Sequence, residues 1–177
     1  FLRARGLYSF DARTGTDDTR YSIMDVPTAE KGLTDSVLLI LKDWCSGISI
    51  TEKDTEKQRG IIIEEWRQRG GIDKRLSDSI AGVIYNGSQY SQRNVIGSLD
   101  VLKTFKYPDI QAFYKTWYRP DLQCVIIVGD IDPVAYEKQV QQLFASLPAP
   151  RNAKARPAFS IDDNVGPLYY RFIDKEN

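Results

Sequence analysis

The sequence predicts an α+β fold, and three observations carry that prediction. Two short alternating runs near the start read as paired strands, a series of helical patterns follows, and a continuous apolar run at 122–132 reads as a late strand. Strands first, several helices next and one more strand do not make a regular βαβ repeat.

The elements follow in order. In "LYSFDART" (7–14), Tyr8, Phe10 and Ala12 alternate with Ser9, Asp11 and Arg13; in "DDTRYSIMDV", Tyr21 and Ile23 share a face. Period-two alternation around a Gly-containing break predicts two antiparallel strands. Pro27 stops the second, and a helix is expected from Thr28 as N-cap to Gly47, with Leu33, Val37, Ile40 and Leu41 as its apolar stripe. A second helix runs from Thr51, an N-cap with Asp54 three residues on, to Arg69 before Gly70-Gly71. "IDKRLSDSIAGVIYN" predicts a third and "GSQYSQRNVIGS" a loop; "YPDIQAFYKTWY" predicts a helix with Pro108 at its first position. "LQCVIIVGDID" has the composition of a buried central strand, and Asp132-Pro133 opens a last helix. After Pro148 the periodicity is lost, so residues 149–177 read as a linker and one further strand, "LYYRFID", following a domain over 1–148.

Composition excludes several classes of function. Basic and acidic residues number 24 each, which argues against a dedicated nucleic-acid or membrane-surface binder. The longest apolar runs are far too short to insert in a membrane. Histidine is absent, so this chain alone makes no imidazole base and no His-based zinc site. Cys45 and Cys124, far apart, read as core residues. The start "FLRARGLYSF" has neither an initiator Met nor a signal-peptide pattern, and is expected of a segment of a longer product.

The second helix poses the chemical question. In "EKQRGIIIEEWRQR" two glutamates follow three isoleucines. At roughly 100° per residue, Glu65 projects between Ile61 and Ile62 with Gln58 two turns below, whereas Glu64 turns toward Lys57 and Gln68. A carboxylate on an apolar face needs a partner or a metal. Arg59, Arg69 and Arg93 are the candidate partners; a tilted helix leaving Glu65 at the rim also answers.

The same segment resembles the E-K-E-R-G-V-V-x-E-E stretch of the pitrilysin and insulinase family of zinc peptidases, which includes mitochondrial processing peptidase and carries an inverted H-x-x-E-H motif. "LYSFDARTGTDDTRYSIMDVP", "YSQRNVIGSLDVLKTFKYPDIQAFYKTWYRPD" and "CVIIVGDID" resemble further family segments, in the family's order. The resemblance implies a mostly antiparallel sheet with helices packed on it. It implies zinc as cofactor, with Glu65 as one protein ligand and the remaining ligands on an upstream H-x-x-E-H segment that this chain does not contain. Gln58 stands where the family often has Glu, which puts a catalytic contribution there in doubt. Ser9, Phe10, Asp11, Ala12, Arg13 and Thr14 would form the edge strand that binds extended peptide by strand addition; Asp11 replaces the commoner Asn. The expected partners are peptide substrate and the remaining domains of the parent or a homologous subunit. The parent is expected to hydrolyse peptide bonds and this segment alone to be inactive; a non-catalytic homologue or an edge-strand binding module are the alternatives.

Overall fold

Alternation on both sides of residues 15–18 closes a hairpin. Strands β1 (Phe10–Thr14) and β2 (Thr19–Ile23) pair antiparallel, with Phe10 opposite Ile23, Ala12 opposite Tyr21 and Arg13 opposite Arg20. The helices are α1 (Lys31–Ser46), α2 (Glu52–Gln68), α3 (Ile72–Ile84), α4 (Leu99–Thr104), α5 (Tyr107–Trp117) and α6 (Pro133–Phe144). This computed structural model describes residues 1–85, 88–148, 151–161 and 166–174. The architecture is α+β and dominated by helix, with one small antiparallel sheet among the described residues. Among them no helix is long and apolar enough to cross a membrane.

The chain divides into two compact units. The first contains Phe1–Thr14, Asp18–Ile50 and Pro108–Lys154; the second contains Gly15–Asp17, Thr51–Tyr107 and Ala155–Asn177.

The first unit is built around α1. Leu33 and Val37, one turn apart, bury against Leu7, with Leu2, Ile23, Val26 and Leu41 around them. The hairpin therefore meets the helix through the Tyr21 and Ile23 face of β2. Helix α1 begins at Lys31, later than Thr28 predicts, and Glu30 caps it without a side-chain bond. Asp25 explains the delay: it is left-handed (φ 56°), and its carboxylate accepts from Ser9 Oγ at 2.6 Å, which turns the chain before the helix starts. The other end of α1 is capped from outside. Tyr114 Oη donates to the Trp44 carbonyl (2.9 Å) and accepts from the Ile48 N–H (3.2 Å), while Gln123 Nε2 donates to the Cys45 carbonyl (2.9 Å). Gln111 Nε2 on α5 donates to the Ile50 carbonyl at 2.9 Å. Helix α6 starts as predicted, with the Asp132 carboxylate accepting from the Val134 and Ala135 N–H groups.

The run at 122–132 departs from expectation. Residues 123–128 are extended but pair with no strand among the described residues. Gln123, Val125 and Ile127 are half-buried, whereas Cys124, Ile126 (76% exposed) and Val128 (91% exposed) face outward. The composition of a strand covered on both faces is present, but among the described residues only one face is covered. Cys124 is accordingly an exposed thiol, not a core residue; Cys45 is half-buried, and burial raises its pKa.

In the second unit, Thr51 caps α2 by accepting from the Asp54 N–H at 3.1 Å, as its position predicts. Helix α4, inside a stretch whose sequence offers little periodicity, is capped by Ser98, which accepts from the Val101 N–H, and buries Leu102. Arg59 ties α2 to α4. Its guanidinium donates to the Leu102 and Phe105 carbonyls, lies 3.9 Å from the Phe105 ring centre and pairs with Glu56. The expected strand at 168–174 forms no ladder among the described residues. Its polar groups bond to α3 side chains instead: Asp174 pairs with Arg75 (2.7 Å) and the Tyr170 hydroxyl meets Ser79. Tyr169 (93% exposed) and Ile173 (74% exposed) leave one face of this run uncovered, while Phe172 and Asp174 are half-buried on the other.

Candidate functional site

Two groups of predicted site residues lie on different units. Gln58 and Glu65 belong to the second, and Ser9 to Thr14 to the first.

The inward face of α2 carries Thr55, Arg59, Ile62, Ile63 and Trp66. Three consecutive isoleucines span roughly 200° of a helix, so they cannot all turn inward. The bonds of Arg59 to the carbonyls beside α4 decide which do. Ile61, 55% exposed, is left on a flank with Gln58, Glu65 and Gln68, spaced three and four residues apart. The sequence correctly places Gln58 and Glu65 together, but that face is not the interior: the Glu65 side chain is 46% exposed. Its carboxylate pairs with Arg69, one of the three candidate arginines. Glu64 pairs with Arg67 at 3.3 Å. Gly60, Ile61, Glu64, Glu65 and Gln68 line a shallow open depression.

These residues fit part of a zinc site. An exposed ion pair such as Glu65–Arg69 holds its carboxylate by little, so Glu65 can exchange Arg69 for a metal at small cost. Among the described residues no group of three His, Cys, Asp or Glu side chains could hold a metal ion. The described residues by themselves therefore supply no complete zinc site.

On the first unit, all five residues of β1 are exposed, and among the described residues β1 pairs on one side only, with β2. Its outer edge presents backbone donors and acceptors without ladder partners. Register sorts the side chains. Phe10, Ala12 and Thr14 share a face with Ile23, Tyr21 and Thr19, the face that meets α1; Asp11 and Arg13 share the other with Ser22 and Arg20. The hairpin is held through Tyr21, whose hydroxyl lies 2.7 Å from that of Tyr118 and whose ring centre is 5.4 Å from that of Trp44. Burial first, and then the hydrogen bond to Tyr118, push the Tyr21 pKa well above the usual phenol range. Tyr114 and Tyr118 pack with ring centres 4.4 Å apart, so the aromatic spacing of "FYKTWY" serves packing.

The sequence reading missed Arg20 beside Arg13. The signal was there: a hairpin closing on residues 15–18 puts positions summing to 33 opposite one another.

Comparison with known proteins agrees with this fold. Residues 104–177 match the family model described as the Peptidase M16 inactive domain. The probable zinc protease PqqL of Escherichia coli (strain K12) is 29% identical over 168 residues, 94% of this chain and 18% of that protein. The crystal structure of the first half of the periplasmic protease PqqL from Escherichia coli matches with a TM-score of 0.81 at 27% identity, over 88% of this chain and 34% of that one. The ferredoxin protease FusC, in a structure with Arabidopsis ferredoxin, matches with a TM-score of 0.79 at 28% identity, over 88% of this chain and 17% of that one. The fold matches domains found in proteases. The chain is thus similar to proteins named as zinc proteases and, over residues 104–177, to an M16 peptidase domain, in line with the pitrilysin and insulinase resemblance of its motifs. It spans between 11% and 18% of the length of the first three curated relatives, all named as zinc proteases.

Proposed function

We propose that this chain is part of a zinc metallopeptidase, in which Glu65 is a metal ligand and the outer edge of β1 binds an extended peptide. The observation that carries the reading is the flank of α2. An isoleucine left 55% exposed between Gln58 and Glu65 marks a face suited to being covered, and the carboxylate within it is held only by a surface ion pair. Zinc, when bound, supplies Lewis acidity toward the scissile carbonyl. Glu65 would hold it, together with ligands outside this chain. Gln58 lies on the same face; its amide can orient a neighbour by hydrogen bonding but takes up no proton. The edge of β1 would align the substrate backbone through its free N–H and C=O groups.

A second reading has its own support. The matched family model is described as an inactive domain, and Gln58 replaces a carboxylate that the family often carries. A non-catalytic homologue would keep the fold and the peptide-binding edge without the chemistry.

The test is metal content in the full protein, by elemental analysis, for the wild type, Glu65→Gln and Glu64→Gln. About one zinc per chain, lost on Glu65→Gln and retained on Glu64→Gln, is expected of His₂Glu coordination. Equal loss from both changes would overturn Glu65 as ligand, and a folded wild type without zinc would select the non-catalytic reading.

A further inference from the structure

The hairpin places two arginines directly opposite one another. Arg13 on β1 faces Arg20 on β2, both exposed and both on the face that does not meet α1. Like charges directly opposite across a ladder are destabilising. Compensation is slight: Arg20 reaches Asp18 at 3.8 Å with both side chains well exposed, and Arg13 has no hydrogen-bond or ion-pair partner among the described residues. Asp11, two residues along the same face, is opposite Ser22 and likewise has no such partner among them. The position therefore carries a concentrated positive charge beside the free edge of β1.

We infer that this edge selects extended peptides bearing an acidic side chain at the position opposite Arg13. The inference rests on the reading of β1 as a peptide-binding edge. A strand added there continues the pleat, so its residue opposite Arg13 lies on the Arg13–Arg20 face, with Cβ atoms about 4.5–5.5 Å apart. A carboxylate at that place meets the guanidinium of Arg13 and relieves its repulsion with Arg20. Asp11 fixes where the charge must sit, because an acidic side chain one pleat repeat away would face a carboxylate. The opposite face of the edge, with Phe10, Ala12 and Thr14, offers an aromatic ring, a methyl and a hydroxyl and imposes no charge.

The experiment is fluorescence-anisotropy binding of labelled Thr-Val-Glu-Val-Thr and its Lys- and Gln-centred counterparts to the full chain. The Glu peptide is expected to bind about threefold to tenfold tighter than the Lys peptide at low salt, the range of one or two exposed charge pairs. The preference should fall below about twofold near 1 M salt, where the screening length is about 3 Å. Arg13→Glu should invert the order and Arg20→Ala should narrow it; both positions are exposed, and circular dichroism checks that each variant is folded. Equal binding of the three peptides would overturn the charge selectivity and leave the peptide-binding edge standing. Binding of none would overturn the edge reading and this inference with it.

Discussion

Removing one hydroxyl from the Tyr21–Tyr118 pair should loosen the hairpin without disturbing its packing. The two oxygens are 2.7 Å apart, and the pair is the hydrogen bond by which β2 reaches the segment after α5. Tyr21→Phe keeps the ring against Trp44 and deletes the bond, leaving Tyr118 in a half-buried place without that partner. The net cost of such a bond is about 1 kcal/mol. For a chain of this size that lowers the melting temperature by about 2–4 °C. Tyr118→Phe should cost the same. The double variant should cost about as much as either single one, because the second change removes a hydroxyl already without its partner, giving a coupling of about 1 kcal/mol. Urea titration of the four proteins measures the cycle, and hydrogen exchange at the β1 and β2 amides should quicken in all three variants. Additive single effects of a few tenths of a kcal/mol, with exchange unchanged, would refute the bond as the anchor of the hairpin.

Leu33→Ala should cost about 3 kcal/mol, read as a lower urea midpoint, since Leu33 is 2% exposed at the centre of the first unit. Thr51→Ala should cost about 1 kcal/mol by unmaking the cap on the Asp54 N–H, and Thr51→Ser should restore most of it. Stability should decline in alkali: Cys45 and Tyr21 have folded pKa values above their ordinary 9.0 and 10.0, so the unfolded chain loses its protons first. Their contribution is complete below about pH 9 and drains away as pH rises through the folded values; Tyr21→Phe should flatten the part above pH 10. Cys124, exposed, should react with a thiol reagent well before half-buried Cys45, and Cys124→Ser should abolish the fast phase.

Much of this was legible in the residues, where the cause is local. The caps at Thr51 and Asp132, the stop at Gly47 and the two-strand hairpin follow from side chains acting within a turn or a strand pair. What failed depends on partners distant in sequence. An apolar run reads as buried, yet Ile126 and Val128 find nothing over them among the described residues. Glu65 lies on the face that helix arithmetic gives it, but which face turns inward was decided by Arg59 and two carbonyls more than forty residues away. Helix α4 was missed because six residues offer too little periodicity to see; its Ser98 cap was the one available clue.

The bond from Gln111 to the Ile50 carbonyl has a consequence for how the chain can be cut and rejoined. The first unit gives up the chain after Ile50 and regains it at Pro108, and this bond holds exit and return side by side. Residues 51–107, with Glu65, are in that sense an excursion whose two ends start from one place. Closing so long a loop costs the first unit about 2 kcal/mol more than closing one of six residues, because closure entropy grows with the logarithm of length. A short linker from Ile50 to Pro108 should therefore free the strand edge and its arginines as a smaller protein, with α2 to α4 left out.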